Sequence, residues 1–569
     1  LASTIRIGGL NVELEEMSSQ VVGAQLGQEA ISTSLLAGLI GLIIVCVFMC
    51  CVYYLPGFAS SLALIIYTEL ILVLLNAFDI TLTLPGIAGI ILGIGMAVDA
   101  NVIIFARVKE ELTEGKSVHA ALNAGFHKAM SAIIDGNVTT LIAAAVLWLR
   151  GSGTIRGFAQ TLALGIVVSM FTALVITRLI IYSFYGIGIR NKKLYGRLLK
   201  KRKTIDFLGK RKVFFALSIV MCLSGFVFMG INHARGIGAM NYSLDFVGGT
   251  STTVTFDRAY TLDEVDSEMV PDLEEITGDA NIQVQTVRDS NQVIFKTQTL
   301  DLNEREALNQ YMEENYGVAQ EDIEMTNISS TVSSEMRTDA VIAVVIATVC
   351  MLLYIWFRFK DVRFATSAVV ALVHDVLVVL AFYVIARVSV GSTFIACMLT
   401  IVGYSINATI VIFDRIREEL KTKPKDMSLK DLVNDCIMRT LTRSIYTNLT
   451  TFIMVVCLYV LGVSSIKEFA APLMVGIACG TYTSVCITGA LWYVMKTKLG
   501  AGAKELAAAE ATAAKQIGVA ADAGRGGNAA AGENSTGNAA NASVSGKNAG
   551  QQGGGKASGG KKKKKKRRQ

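Results

Sequence analysis

Apolar residues along this chain gather into runs long enough to matter as wholes. Eleven are legible, at residues 35–55, 57–78, 82–105, 130–150, 159–183, 213–232, 338–357, 364–388, 392–413, 444–463 and 470–494. A helix needs about 20 apolar residues to cross a bilayer, so each run predicts a membrane-spanning helix. The Gly and Pro residues inside some runs do not count against this, because membrane helices tolerate them better than soluble ones do. Between the sixth and seventh runs the period changes. Ser251–Phe256 reads as a strand, 262–276 as an amphipathic helix, and Ile282–Val287 and Val293–Lys296 as paired strands around a turn at Asp289-Ser290-Asn291. A helix at 303–315 and a strand near Asp322–Asn327 follow. That order, βαββαβ, predicts a small α+β ferredoxin-like domain.

The membrane pattern is written twice. GIGMAVDANVIIFARVKEEL at 93–112 matches IVGYSINATIVIFDRIREEL at 401–420, an offset of 308 residues that sets Gly95 against Gly403 and Asp99 against Asn407. Asn137-Val138-Thr139-Thr140 matches Asn448-Leu449-Thr450-Thr451 at an offset of 311, and the match continues from Ile155, Phe158 and Gly165 to Ile466, Phe469 and Gly476. The copies run in the same order, which predicts parallel repeats related by an axis along the membrane normal, with any transport site near the midplane at their interface. The expected fold class is an all-α polytopic membrane bundle of two parallel repeats with eleven visible spans, plus the small α+β external domain.

Charge orients this arrangement. The net charge is +7, but Arg190–Lys212 holds eleven Lys/Arg residues against a single acid, Asp206, while 238–332 is acidic, with Asp263, Glu264, Asp266, Glu274 and Glu275. The positive-inside rule puts 184–212, the loops 106–129 and 414–443 and the C-terminus in the cytoplasm, and the acidic insert outside. The expected organisation is 1–34 as the end of an external domain, 35–183 as a five-span repeat and 184–212 as a basic linker. Then follow 213–232 as an additional span, 233–335 as the external domain, 336–497 as the second five-span repeat and 498–569 as a disordered tail. An external domain at 1–34 calls for one more span upstream of Leu1. The tail carries six lysines and two arginines near its end, suited to anionic lipid, with ribosomal RNA or a solubilising role as alternatives. Nine of ten cysteines fall in the apolar runs, with Cys436 in a loop, and none has metal-ligand spacing.

Ionisable residues inside apolar runs are the sharpest chemical signal, since placing one at a bilayer centre costs about 2.5–3.5 kcal/mol on insertion scales. Asp99 lies well inside 82–105, one turn after Gly95, whose lack of a side chain admits a neighbouring helix on that face. Arg443 opens the tenth run, with Thr447 and Thr450 after it on the same face; it can tune a carboxylate, or snorkel to the cytoplasmic surface. Asp135 occupies the corresponding part of the first repeat, as relay or packing acid. His374-Asp375 lies mid-run near where Thr68-Glu69 falls in the first copy; adjacent residues do not share a helix face, so Asp375 and Glu69 are favoured over His374. Arg107–Glu111 and Arg415–Glu419 read as charges anchoring their helices at the cytoplasmic surface. No P-loop, zinc motif, nucleophile elbow or dinucleotide fingerprint is present, so an enzymatic reading has no support and the energy source is a partner or an ion gradient.

These residues carry a family resemblance. GMAVDANVIIFARVKEEL at 95–112 resembles the fourth-span signature of SecD, and Asp245-Phe246-Val247-Gly248-Gly249-Thr250 the SecF motif after its first span. Residues 403–420 and RSIYTNLTT at 443–451 resemble the fourth and fifth SecF spans. The resemblance covers residues 1–497 and is to the fused SecD–SecF family, within the resistance–nodulation–division superfamily. It implies an accessory subunit that associates with the SecYEG channel and SecA, and also with YajC and YidC-like proteins. Such subunits promote late-stage export of secretory preproteins across the cell membrane with the proton-motive force; sodium substitutes in some relatives, and no other cofactor is implied. It also implies that Asp99 and Arg443 serve ion passage. Asp245, Gly248, Gly249 and Asn407 are family-motif positions, but where SecF has Asn-Asp-Thr this chain has Asn407-Ala408-Thr409. Ala408 cannot titrate, which keeps open a non-conducting scaffold; a lipid or drug pump of the same superfamily is the other alternative.

Overall fold

The structure, a computed structural model, describes residues 17–498 apart from 22–23, 152, 197–204, 280–281, 288–289 and 423–426. Asp289 of the expected hairpin turn, part of the basic linker and the tail from 499 onward lie outside the described residues.

Eleven described helices are long and apolar enough to cross a membrane. Five come first: α1 (Ala24–Tyr53), α2 (Leu55–Ala77), α3 (Leu84–Thr113), α4 (Val118–Arg150) and α5 (Gly153–Gly186). A sixth, α6 (Arg211–Ala234), precedes a segment that holds, after a single helical turn at Leu244–Val247, the helices α7 (Leu262–Glu268), α8 (Val270–Thr277) and α9 (Leu302–Tyr316). Five more close the bundle: α10 (Ser330–Phe359), α11 (Val362–Ala386), α12 (Ser392–Lys421), α13 (Leu429–Leu461) and α14 (Ser465–Lys498). The duplication read in the sequence is present in detail: α3 and α12 are both 30 residues, and α4 and α13 both 33. Even the local π-helical turns recur at matching places, at Thr172–Ile176 in α5 and Thr483–Thr488 in α14.

Several expected bounds are corrected. The runs at 130–150 and 444–463 are the apolar ends of longer helices that begin at Val118 and Leu429, capped by the Ser117 and Ser428 hydroxyls. Residues 118–129 and 429–443 carry too many polar groups to register as apolar, yet their helices continue. The loops expected at 106–129 and 414–443 shrink accordingly, and Cys436 lies buried in α13 rather than in a loop. The helix expected at 262–276 is two, broken at Met269 ahead of Pro271.

The bundle is organised around α3 and α12, whose apolar stretches are almost wholly enclosed. Each repeat also reaches across to the other: α4 packs on α12 and α13 on α3, while α1 lies on α13 and α10 on α4.

Five strands form one antiparallel sheet in the order β1-β5-β2-β4-β3: β1 (Ser18–Val21), β2 (Gly249–Thr255), β3 (Gln283–Thr286), β4 (Gln292–Thr297) and β5 (Ile323–Ile328). The βαββαβ order is met by β2 to β5 with their helices. Inward residues of β2, β4 and β5, among them Val254, Phe295 and Ile323, pack with Val265, Met269, Leu273, Leu308 and Met312 from α7, α8 and α9. The edge strand β1 comes from ahead of α1 and pairs with β5 from Ser18 opposite Ile328 to Val21 opposite Met325.

Candidate functional site

The seam between the repeats is built from small residues. A Cβ on Gly95 would sit 3.0 Å from the Cα of Thr451, and one on Gly403 3.2 Å from the Cα of Thr140. Gly95 matches Gly403 and Thr140 matches Thr451 in the duplication, so one close-approach device is used at both crossings, α3 on α13 and α12 on α4. Thr140 also donates its hydroxyl to the Gly403 carbonyl at 3.4 Å.

One turn beyond each glycine, the two copies meet. Asn407 on α12 donates its Nδ2–H to Oδ2 of Asp99 on α3 at 2.6 Å, joining residues that occupy equivalent positions in the two repeats. The Thr447 hydroxyl on α13 faces the same carboxylate. Asp99 is only 5 % exposed and Arg443 7 %, and both line one small cavity with Tyr404, Ala408, Ser444 and Asn448. The space, about 10 Å³, is close to what a single water needs. Several atoms facing this region have no hydrogen-bond partner among the described residues: Asn407 Oδ1, Arg443 Nε and Nη2, Ser444 Oγ, and both side-chain amide atoms of Asn448. Tyr404 closes one wall by donating to the Thr447 carbonyl at 3.3 Å and the Thr451 hydroxyl at 3.1 Å.

The site is symmetric in backbone and asymmetric in charge. The first-repeat positions matching Arg443 and Thr447 are Ala132 and Gly136, so Asn407 meets a bare backbone where Asp99 meets a hydroxyl and a guanidinium. The absence of a side chain at Gly136 makes room for the amide: a Cβ there would lie 2.0 Å from Asn407 Oδ1. Toward the ends of α3 and α12 the seam closes on a cluster of charges from both repeats. Arg107 contacts Glu110 at 3.1 Å and Glu418 at 3.2 Å, while Arg415 contacts Glu418 at 3.1 Å and Glu110 at 3.7 Å. Both arginines are buried while Glu110 is partly and Glu418 nearly half exposed, so the cluster joins the two repeats where the seam reaches the surface.

The other expected site residues are placed elsewhere. Asp135 pairs with Arg358 of α10 at 2.6 Å, accepts from Tyr354 at 2.9 Å and from Ser131 at 3.3 Å, and so ties α4 to α10. Asp375 is fully buried among α11, α12 and α14, where Ser405, Thr483 and Cys479 donate to it. His374 touches it after all, Nδ1 to Oδ1 at 3.1 Å. Glu69, favoured over His374 in the sequence, is exposed on α2. Arg443 lies 14 residues into α13 and is buried beside Asp99. Asp245 accepts from the Ser392 backbone N–H at 2.8 Å and from the Ser392 hydroxyl, supplying in trans the N-terminal cap that Gly391 cannot give α12. Gly248 and Gly249 have φ of 83° and 114°; a Cβ on Gly248 would crowd the start of α10 at Ser330, and one on Gly249 the Thr297 carbonyl at 2.4 Å. Tyr404 and Gly136 are the site residues that sequence reasoning missed. The signal for Gly136 was its alignment with Thr447.

Residues 6–186 and 308–498 match the family model described as protein export membrane protein SecD/SecF, C-terminal. The chain is 36 % identical over 519 residues to the protein translocase subunit SecDF of Bacillus subtilis, covering 87 % of this chain and 68 % of that one. A crystal structure of SecDF from Thermus thermophilus, described as a translocon-associated membrane protein, aligns with a TM-score of 0.79 at 33 % identity, over 87 % of this chain and 67 % of that one. A crystal structure of SecDF in a super-membrane-facing form aligns at 0.65 with 32 % identity, over 84 % and 64 % of the two chains. The chain thus spans about two thirds of the length of these relatives. Both halves of the duplicated bundle fall within the matched segments, and on that ground the chain belongs to the SecD/SecF family of multi-pass protein export membrane proteins.

Proposed function

We propose that this chain acts as a subunit of the protein translocase in which protonation of Asp99 couples the proton gradient to late-stage export of unfolded preproteins. The observation that carries the reading is the meeting of Asp99 and Asn407 at 2.6 Å across the repeat seam, beside Arg443 and a cavity of water size. Ionised Asp99 accepts from the Asn407 amide and has the Arg443 charge close by, which offsets part of the cost of burying it. Protonated Asp99 becomes a donor, and Asn407 Oδ1, without a partner at present, can accept after the amide turns over. One neutral side chain thereby serves both charge states, and Ala408 leaves Asp99 as the single titrating carboxylate at this point of the seam. Proton arrival and departure would alternate the contact between α3 and α12 and shift one repeat against the other.

The positive-inside rule supports a cell-membrane orientation with the sheet outside and the C-terminus in the cytoplasm. The names of the relatives support a partner in the translocon, and the family resemblance makes that partner the SecYEG channel with SecA. One charge moved through 100 mV supplies about 2.3 kcal/mol, up to about 50-fold in a step that uses all of it. The test is completion of preprotein export in membrane vesicles containing this chain, with and without an ionophore. The wild type should slow sharply when the gradient is collapsed, and Asp99→Asn should run at the collapsed rate in both conditions. If Asp99→Asn keeps the wild-type dependence, Asp99 is not the coupling residue. If the wild type is indifferent to the gradient, the non-conducting scaffold that Ala408 favours is the correct reading.

A further inference from the structure

The seam site uses neither His374 nor Asp375, although both are buried and lie at the π-helical turn of α14. Four possible ligand atoms gather there from two helices: His374 Nδ1 and an Asp375 carboxylate oxygen from α11, Cys479 Sγ and Thr483 Oγ1 from α14. Asp375 Oδ1 lies 3.1 Å from His374 Nδ1, 3.2 Å from Cys479 Sγ and 2.5 Å from Thr483 Oγ1. Thr483 Oγ1 is 3.1 Å from His374 Nδ1 and 3.9 Å from Cys479 Sγ, and Cys479 Sγ is 3.9 Å from His374 Nδ1. These are the six edges of a closed tetrahedron. With edges averaging about 3.3 Å, its centre lies about 2.0 Å from each corner, near the distances zinc keeps to nitrogen and oxygen and slightly inside its distance to sulfur.

We propose that His374, Asp375, Cys479 and Thr483 form a binding site for a zinc-class divalent cation, which fastens α11 to α14 independently of the Asp99 seam. The donor set suits such an ion: one imidazole, one thiolate, one carboxylate and a neutral oxygen. The charge balance suits the surroundings. A divalent ion with one thiolate and one carboxylate sums to zero, which a membrane interior tolerates where a lone charge is expensive. Binding displaces the Cys479 thiol proton and places the imidazole proton on Nε2, which has no partner among the described residues. Ser405 of α12 holds the other Asp375 oxygen and orients the carboxylate from behind.

The duplication supplies an internal control. The corresponding places on α5 of the first repeat hold Val168 and Thr172, and α2 carries no histidine. That copy keeps the hydroxyl and the π-helical turn but lacks the imidazole and the thiol. The ligands are therefore not needed to build the turn.

The probe is Co²⁺, supplied during growth and again to the purified full chain in detergent after any affinity tag is removed. The wild type should take up one equivalent with a thiolate-to-cobalt charge-transfer band and the visible bands of tetrahedral cobalt, both bleached by Zn²⁺. Cys479→Ser retains a hydroxyl to donate to Asp375 and should fold, yet lose the charge-transfer band. His374→Ala should weaken binding at least about tenfold, while Cys457→Ser and Asp99→Asn should bind as the wild type does. A wild type that shows no charge-transfer band at saturating Co²⁺ overturns the proposal without recourse to any variant. So does a band that survives Cys479→Ser.

Discussion

Two buried aspartates, Asp99 and Asp135, do different work, and their partners show it. Asp135 is held by a guanidinium, a phenol and a hydroxyl in one fixed arrangement, so it ties helices together. Asp135→Asn should lower stability by about 2 kcal/mol, read as a drop in melting temperature in detergent, while the gradient dependence of export is retained. Gly136 makes the opposite prediction. Gly136→Ala drives Asn407 off its position and away from Asp99, so export should lose gradient dependence even though every titrating group is intact. A variant with wild-type dependence would show that the Asn407 contact is dispensable. The charged members of the site were legible in the sequence because Asp99 and Arg443 interrupt apolar runs. Gly136 was not, because a glycine in a membrane helix is ordinary until the residue that fills its space is known. The Asp135–Arg358 pair was likewise invisible, its partners being 223 residues apart.

At the scale of elements, the sequence carried the repeats, the order of the spans and the strands of the insert, because apolar period and turn residues are local. It misplaced the starts of α4 and α13, where helix continues through polar residues that pack against other helices. One such contact has a pH dependence of known sign. Asp206, in the segment between α5 and α6, accepts from Lys430 at 2.6 Å and from Asn434 at 2.9 Å on α13, and from the Gly209 backbone N–H at 2.8 Å. The Lys430 ammonium and these donors hold its carboxyl at about 2, below the usual 3.8. A depressed carboxyl stabilises the folded contact above its ordinary value and loses that contribution as pH falls through the lowered one. Protection from hydrogen exchange at 205–210, taken relative to the intrinsic rate at each pH, should therefore fall between about pH 4 and pH 2. Asp206→Asn should show low protection there, unchanged by pH throughout that range.

For the molecule as a whole, the sheet is stitched to the bundle along one strap. Asn241 donates to the Arg387 carbonyl at 3.0 Å, Arg387 donates to the Gly238 carbonyl at 2.9 Å, and Asp245 caps α12. Lys296 of β4 faces Glu468 near the start of α14; burial pushes its ammonium down, and Glu468 counters that. Because α12 also carries Asn407, the cap and the seam site lie on one rod. Asp245→Ala should cost about 1 kcal/mol at the helix start and make the sheet more open to protease. It should also reduce gradient-dependent export, although the Asp99 contact is untouched. Unchanged proteolysis would mean that the strap holds without its cap.

The short strand β1 has a topological consequence. It departs from ahead of the first repeat and is sewn into a sheet whose other strands all lie between the repeats. With α1 embraced by α13 and α10 by α4, neither half closes its own surfaces. The peptide bonds joining the halves are therefore not what keeps them together. A chain nicked by a protease site introduced within 197–204 should travel through purification as one particle, two polypeptides clasped as hook and eye.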